Sequence, residues 1–412
     1  MNRLIRDAKI IDSSSSWNGK RADVRIRKGK IYEIGKGLKK GTETEFIGKD
    51  LMLSPGWIDM NVHFRDPGEE YKEDLQSGIK AALRGGFTSV VAVPSTLPVI
   101  DSKSGVEYLI QRSKNSGLNI YPYAAMSKGM EGKELAEMFD LHDAGARLFS
   151  DDEHSVMNSG LMKKALLYVK NFGGTVCSFP QDPGLSAGSM MNEGALSTML
   201  GMKGNPHITE SIQLRRDIDL LRYTESKMHV VGLSTAEGAK MIKEAKKEGL
   251  QITAEVFLAN LLWTDKQVDG FKTLYKLNPP LRTDKDRKAL IQAVNEGTID
   301  CISSNHRPED VEHKKVEFGQ AATGIALMES FYSQYQSHLS NEIPLDRFVL
   351  CITNNACRIL NLTAASIEKG RSAILTCFSS SEKADLSPSY SKSYNLPVLK
   401  EGMKGKVHWT CR

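Results

Sequence analysis

The chain has 412 residues, 40% of them apolar and 25% charged, enough for one large domain or two smaller ones with a sizeable core. Net charge is +5, and basic stretches such as "KEAKKEG" alternate with acids like a solvated helix face; no Arg/Lys stripe is interleaved with aromatics, so nucleic-acid binding is not expected. No run of about 18 apolar residues occurs and "MNRLIRDAKIID" has no apolar signal core, so no membrane span is expected and the cytoplasm is the expected location.

Residues 1 to about 54 read as β-rich: "LIRDAKIID", "ADVRIRKG", "KIYEIGKG" and "DLMLSPG" are short alternating runs between Gly, Lys and Ser turns. From "GWIDMNVHF" onward, strand patterns alternate with helical ones. "EDLQSGIKAALRGG" has helical spacing and a Gly stop. "TSVVAVPS", "NIYPYAAMS", "ARLFSDD", "TVCSFPQD", "KMHVVGLST", "QITAEVFLAN" and "IDCISSNH" are further strands, each followed by a helical or loop segment, with a longer helical stretch expected after "TVCSFPQD" that ends near Thr224. The alternation runs eight times between about Gly56 and Leu339, which argues for parallel βα units closed into a (β/α)8 barrel. An open doubly wound sheet would call for Gly-x-Gly-x-x-Gly after the first strand, and none is there. After about Leu362 the chain turns polar and short-patterned again. A TIM-type barrel over residues 55–359 is therefore expected, beside a small β-sandwich domain composed of residues 1–54 and 360–412.

The six cysteines, Cys177, Cys301, Cys351, Cys357, Cys377 and Cys411, form no Cys-x-x-Cys pair. A zinc ribbon or redox motif is not indicated, and scattered thiols suggest a reducing compartment.

Barrels of this class carry their sites at the C-terminal strand ends. Those ends offer Asn61, His63 and Arg65 on strand one, Pro94 and Ser95 on two, and Asp151 and Asp152 on four. They also offer Phe179 and Gln181 on five, Gly232 on six, Ala259 and Asn260 on seven, and Asn305 and His306 on eight. Residues two apart on a strand share a face, so Asn61, His63 and Arg65 are expected to point together into the mouth. His-x-His would be a metal signal; Asn-x-His is a weak one, because an amide oxygen is a neutral, poor donor to zinc. Alone, His63 reads as a satisfied polar residue at a strand end.

"IDMNVHFRDPGEEYKED", "GGFTSVVAVPSTLPVID", "LFSDDEHSVMNSGLM", "LSTAEG", "YKLNPPLRTDKDR" and "IDCISSNHRPED", in this order, resemble successive signatures of the bacterial dihydroorotases of the amidohydrolase superfamily. The resemblance covers nearly the whole barrel. It implies a (β/α)8 barrel, a β-domain built from both chain ends, and a zinc centre that hydrolyses dihydroorotate reversibly to carbamoyl aspartate in pyrimidine synthesis. Carried over by position, the first two ligands are Asn61 and His63, and the bridging carboxylate is Asp151. The ligand histidines of strands five and six correspond to Phe179 and Gly232. The proton-transferring Asp of strand eight is Asn305, with His306 kept and the closing His of that motif now Glu309. Leu258, Ala259 and Asn260 stand where the family has Pro-His-His. Arg65, Ser95 and Asn278 fall at substrate-holding positions, Ser95 in place of an Asn.

His63 and Asp151 would thus be a remnant that cannot complete the coordination of one zinc, let alone two. Without the metal no water is ionised near neutral pH, and a carboxamide at Asn305 cannot take and return the proton. The expectation is a catalytically degenerate member with no cofactor and an anion-binding mouth held by Arg65 and Asn278. Its expected role in pyrimidine synthesis is structural, as a homo-oligomer and as a partner for assembly of aspartate transcarbamoylase. The alternative is an active zinc-dependent dihydroorotase or other cyclic amidohydrolase with an altered metal site. Two rivals are weaker. "GLSAG" matches a nucleophile elbow at Ser186, but Pro183 interrupts the strand it needs. Cys177 with His154 or His306 would make a thiol–imidazole pair, but Cys177 sits mid-strand and reads as core.

Overall fold

The computed structural model of the chain describes residues 2–412. Strands Arg3–Ile10, Arg21–Arg27, Lys30–Gly35, Thr44–Phe46 and Leu51–Pro55 join Leu375–Lys383 and Lys404–Cys411 in one continuous sheet. Leu51–Pro55 is the seam between the chain ends. It runs parallel to the first strand, Met52 beside Lys9, and antiparallel to Leu375–Lys383, Leu53 beside Cys377. Ile5, Val24, Ile26, Leu53, Leu375 and Cys377 point into one core, the buried half of the alternation seen at both chain ends.

The other large sheet is the barrel. Its strands are β1 (Trp57–Val62), β2 (Phe87–Ala92), β3 (Asn119–Ala124), β4 (Leu148–Phe149), β5 (Thr175–Ser178), β6 (Lys227–Val230), β7 (Gln251–Phe257) and β8 (Cys301–Ser303). They lie in sequential order, each parallel to the next. The ring closes where Val62 bridges to His306 and the His63 amide donates to the His306 carbonyl at 2.8 Å. The helix after β1 shows how the sequence sets the crossovers. Asp74 caps Leu75–Gly85 by accepting from the Ser77 amide, and Ser77 Oγ accepts from the Asp74 amide in return. Gly86 ends it at φ +99°, where a Cβ would lie 2.5 Å from the Trp57 indole.

Trp57 joins barrel to terminal sheet. Its Nε1–H donates to Ser54 Oγ at 2.8 Å, and its ring packs against Phe87, Tyr332 and Phe378. One segment differs from its sequence reading. The stretch after β5, read as one long helical run, is an excursion of short turns and two short paired strands, Met191–Asn192 and Gly204–Asn205. The helix starts only at Ile208 and ends at Thr224. Gly184, Gly188, Gly194, Gly201, Gly204 and Pro206 break helical spacing before that point. Among the described residues no helix is long and apolar enough to cross a membrane.

The barrel interior contains a buried carboxyl, Asp59. Its Oδ1 accepts from the amides of Ser304 (3.0 Å) and Asn61 (3.3 Å), and Oδ2 has no partner. Burial, reinforced by Glu255, pushes this carboxyl up to about 7. An unfolded chain releases the proton near pH 4, so the folded state binds the extra proton between those values. Stability is therefore expected to fall as pH rises from about 4 to about 7, by roughly 4 kcal/mol in all, and to level off above. Asp59→Asn should flatten that slope in melting curves taken from pH 4 to 8. A variant slope as steep as that of the parent would contradict the assignment.

Candidate functional site at the barrel mouth

Three residues that follow barrel strands, Arg65 after β1, Asp152 after β4 and Asn305 after β8, hold φ between +44° and +60°. A left-handed backbone costs a residue with a side chain about 1 kcal/mol or more, and such strain clusters at binding and catalytic mouths.

His63 is buried. Its Nδ1 lies 3.5 Å from Ser95 Oγ and 3.9 Å from the Asp152 carboxylate, and Nε2 has no partner. Burial, with the guanidinium groups of Arg307 and Arg65, pushes the imidazole well below its usual range, so it is neutral at pH 7. Asn61 is buried with Oδ1 unpaired.

Asp151, expected as the bridging carboxylate, is engaged by the segment that follows β3 and is not the acid beside His63. Its Oδ1 accepts from the amides of Met126 and Ser127, each at 2.9 Å, and its Oδ2 from the Ser127 hydroxyl. The carboxylate beside His63 is its neighbour Asp152, turned inward by its positive φ. The two acids of "SDD" have different partners, and the sequence does not say which is which.

The positions read as lost ligands on β5 and β6 are filled with rings. Gly232 has φ +70°, and a Cβ there would lie 2.9 Å from Phe257 Cε2 and 3.0 Å from Phe179 Cε2. Phe179 and Phe257 are both buried. Asn305 donates from Nδ2 to the Asn278 carbonyl at 3.4 Å.

Each residue read as substrate-holding is bonded to a carboxylate of the chain itself. Ser95 donates to Asp152 Oδ2 at 2.5 Å, and Asn278 donates to Glu153 Oε2 at 3.0 Å. Arg65 donates to Glu309, to Glu69 at 3.0 Å and to the Pro308 carbonyl at 3.1 Å. Lys72 bonds Glu69 at 2.6 Å and Glu309 at 3.1 Å, and Arg307 pairs with Glu153. The cations Arg65, Lys72 and Arg307 thus face Glu69, Asp152, Glu153 and Glu309. This corrects the expectation of an anion-binding mouth, because the carboxylates outnumber the cations and already satisfy them. Surface clefts of 470 and 550 Å³ lie elsewhere, at the foot of the barrel beside Lys227 and between the helices carrying Ile79 and Arg112.

The loop after β8 is fixed from within and from outside. Lys276 donates to the carbonyls of Phe318 and Gly319, and Lys314 to those of Ala322 and Gly324. Burial pushes Lys314 down to about 7. From outside, the connection between the two C-terminal strands reaches over. Asn395 Nδ2 donates to the Arg307 carbonyl, its Oδ1 accepts from the Glu309 amide, and the Tyr394 amide donates to the Glu309 carbonyl.

The sequence reading missed Phe257, Arg307 and Glu153, for which it held no spacing signal. It also missed Arg282, which the "NPPLR" motif did flag. Arg282 is buried and donates to Asn192 Oδ1, to the carbonyl and Oδ1 of Asn205, and to Ser234 Oγ. It clamps the excursion after β5 to the barrel. Ser186 ends a short helix, Pro183–Ser186, and donates to the Asp182 carbonyl. Cys177 is buried and burial raises its thiol, while His154 is exposed.

A family model for dihydro-orotase-like proteins matches residues 50–238. The chain is 38% identical to a dihydroorotase of Ruminiclostridium cellulolyticum, covering 100% of this chain and 97% of that one. It is 37% identical to a dihydroorotase of Acetivibrio thermocellus, covering 99% and 96%. Its fold is similar to that of an L-hydantoinase from Arthrobacter aurescens, with TM-score 0.82, 18% identity and coverage of 98% and 93%. A D-hydantoinase from Thermus sp. gives TM-score 0.79 at 23% identity, with coverage of 98% and 93%. The full-length match to dihydroorotases overturns the expectation that no cofactor is used, because zinc is what the resemblance to that family implies. The side chains present do not fit a two-zinc centre at the positions carried over. Phe179 and Gly232 offer no donor atom, Phe179 and Phe257 fill the space at Gly232, and Asp151 is bonded elsewhere. Among the described residues no three His, Cys, Asp or Glu side chains are grouped so that they could hold a metal ion.

Proposed function

Because the chain belongs to the dihydroorotase family of amidohydrolases, we propose that it is a member that no longer opens the dihydroorotate ring and that serves pyrimidine biosynthesis structurally. The observation that carries this reading is the pair of rings, Phe179 and Phe257, packed against Gly232. Hydrolysis of a cyclic amide needs an ionised water and a group that passes a proton to the leaving nitrogen. A wall of two phenyl rings supplies neither, and Asn305 carries a carboxamide where proton transfer needs a carboxylate.

What such a protein retains is its surface and its frame. The role proposed is assembly, as a homo-oligomer and as a partner of aspartate transcarbamoylase. Mixed at micromolar concentrations, the two proteins are expected to co-elute from a sizing column as one species heavier than either. Separate elution at every ratio would remove the partner from the proposal. A side-by-side assay of ring opening addresses the loss of catalysis.

One observation favours a second reading, an altered metal site of an active cyclic amidohydrolase. His63 Nε2 and Asn61 Oδ1 are buried without partners, and the Asp152 carboxylate lies 3.9 Å from His63 Nδ1. The same ring-opening assay separates the readings, since only the second gives turnover.

A further inference from the structure

Glu309 is 3% exposed, and its carboxylate sits between two cations: Oε1 accepts from the Arg65 guanidinium and Oε2 forms an ion pair with Lys72 Nζ at 3.1 Å. Arg65 is itself 6% exposed, so this is a desolvated pair rather than a rim contact. The backbone of Glu309 is held on both sides by a strap, the residues before Leu396 in the connection between the two C-terminal strands. Asn395 Oδ1 takes its amide and the Tyr394 amide takes its carbonyl. The strap is in turn fastened lower down. Ser391 Oγ and the Lys392 amide donate to buried Glu73, and the Ser389 hydroxyl and Tyr390 amide donate to Glu329.

We propose that Glu309 is an autoinhibitory contact: a carboxylate of the chain, latched by the strap, that occupies Arg65 and Lys72 and keeps small carboxylate ligands out of the mouth. This rests on reading Arg65 as a residue suited to gripping a carboxylate, and not on whether the chain retains catalysis. A guanidinium and an ammonium bridged by one carboxylate form a site for a small carboxylate, and here that position is taken by a side chain of the protein itself. An outside carboxylate has to compete with a group already oriented in place, whose effective concentration far exceeds that of free ligand at millimolar levels.

Chemical rescue tests this. Glu309→Ala removes a methylene and a carboxylate, which is acetate in outline, and leaves two buried cations with Glu69 as the one carboxylate they still share. The variant should melt below the parent. Acetate at ~100 mM should raise its midpoint by about 3 °C or more over the same concentration of chloride. The parent, and the double variant Arg65→Met with Glu309→Ala, should show no such difference. An equal acetate response in all three proteins, or none in Glu309→Ala, would overturn the proposal. If Glu309→Ala does not fold, Asn395→Ala keeps Glu309 and loosens the strap that latches it. Calorimetric titration with acetate should then show binding to Asn395→Ala at least tenfold tighter than to the parent, and equal affinities would overturn the proposal. Both readouts measure binding, so they can fail while the loss of ring opening stands, and the reverse.

Discussion

Gly232→His, the change that would restore a family ligand, is expected to destabilise the fold by roughly 4 kcal/mol or more and to leave it without activity. Two costs add. At φ +70° any residue with a Cβ sits in the left-handed region, at about 1–2 kcal/mol. The Cβ itself would lie at 2.9–3.0 Å from carbons of Phe257 and Phe179, and the imidazole beyond it would have to displace both rings. Neither is the free end of a flexible chain, since both rings are buried in the barrel interior. Chemical denaturation of the single variant measures the total. Adding Phe179→Ala to Gly232→His should return part of the loss by opening space, whereas Phe179→Ala in the parent background should cost stability by leaving a cavity. A Gly232→His protein as stable as the parent would mean that the rings do not occupy the site.

Arg282→Met should cost about 3–5 kcal/mol. The methionine keeps much of the apolar stem, so the loss reports the guanidinium bonds. Those bonds satisfy Asn192, Asn205 and Ser234 in a buried setting. They also place a positive charge near Glu210, which already accepts four hydrogen bonds from Ser234 and Thr235. Without Arg282 these groups are stranded away from water. Hydrogen exchange should show the damage first in residues 187–207, the excursion that Arg282 clamps, before the barrel strands lose protection. Uniform loss of protection across the chain, or a change under 1 kcal/mol, would show that the clamp is elsewhere.

These two sites show what the sequence could and could not say. The eight-fold alternation was legible because each strand and helix obeys its own period, and Asp74, Ser77 and Gly86 mark one helix end-to-end. The terminal sheet was legible as two alternating stretches, but its seam at Leu51–Pro55 depends on long-range pairing that no local pattern carries. The stretch from Pro183 to Pro206 was misread because glycines and short apolar runs do not reveal that a distant arginine organises them. In the mouth, substitutions at Asn61, Phe179, Gly232 and Asn305 could be read off directly. What took their place could not. Phe257 fills space through packing across strands, and Glu309 meets Arg65 across 244 residues of chain. Asp151 and Asp152 are chemically identical in sequence, and only the φ of +53° at Asp152 decides which faces His63.

The measurement that bears most directly on the account is the rate of dihydroorotate ring opening by the purified full-length chain, produced and assayed with zinc in excess, and of the reverse closure of carbamoyl aspartate. The filled mouth and Asn305 predict no rate above the protein-free reaction in either direction, with or without added zinc. Turnover that rises with zinc and disappears in His63→Ala would contradict it, and would make the chain a working hydrolase with a rearranged centre.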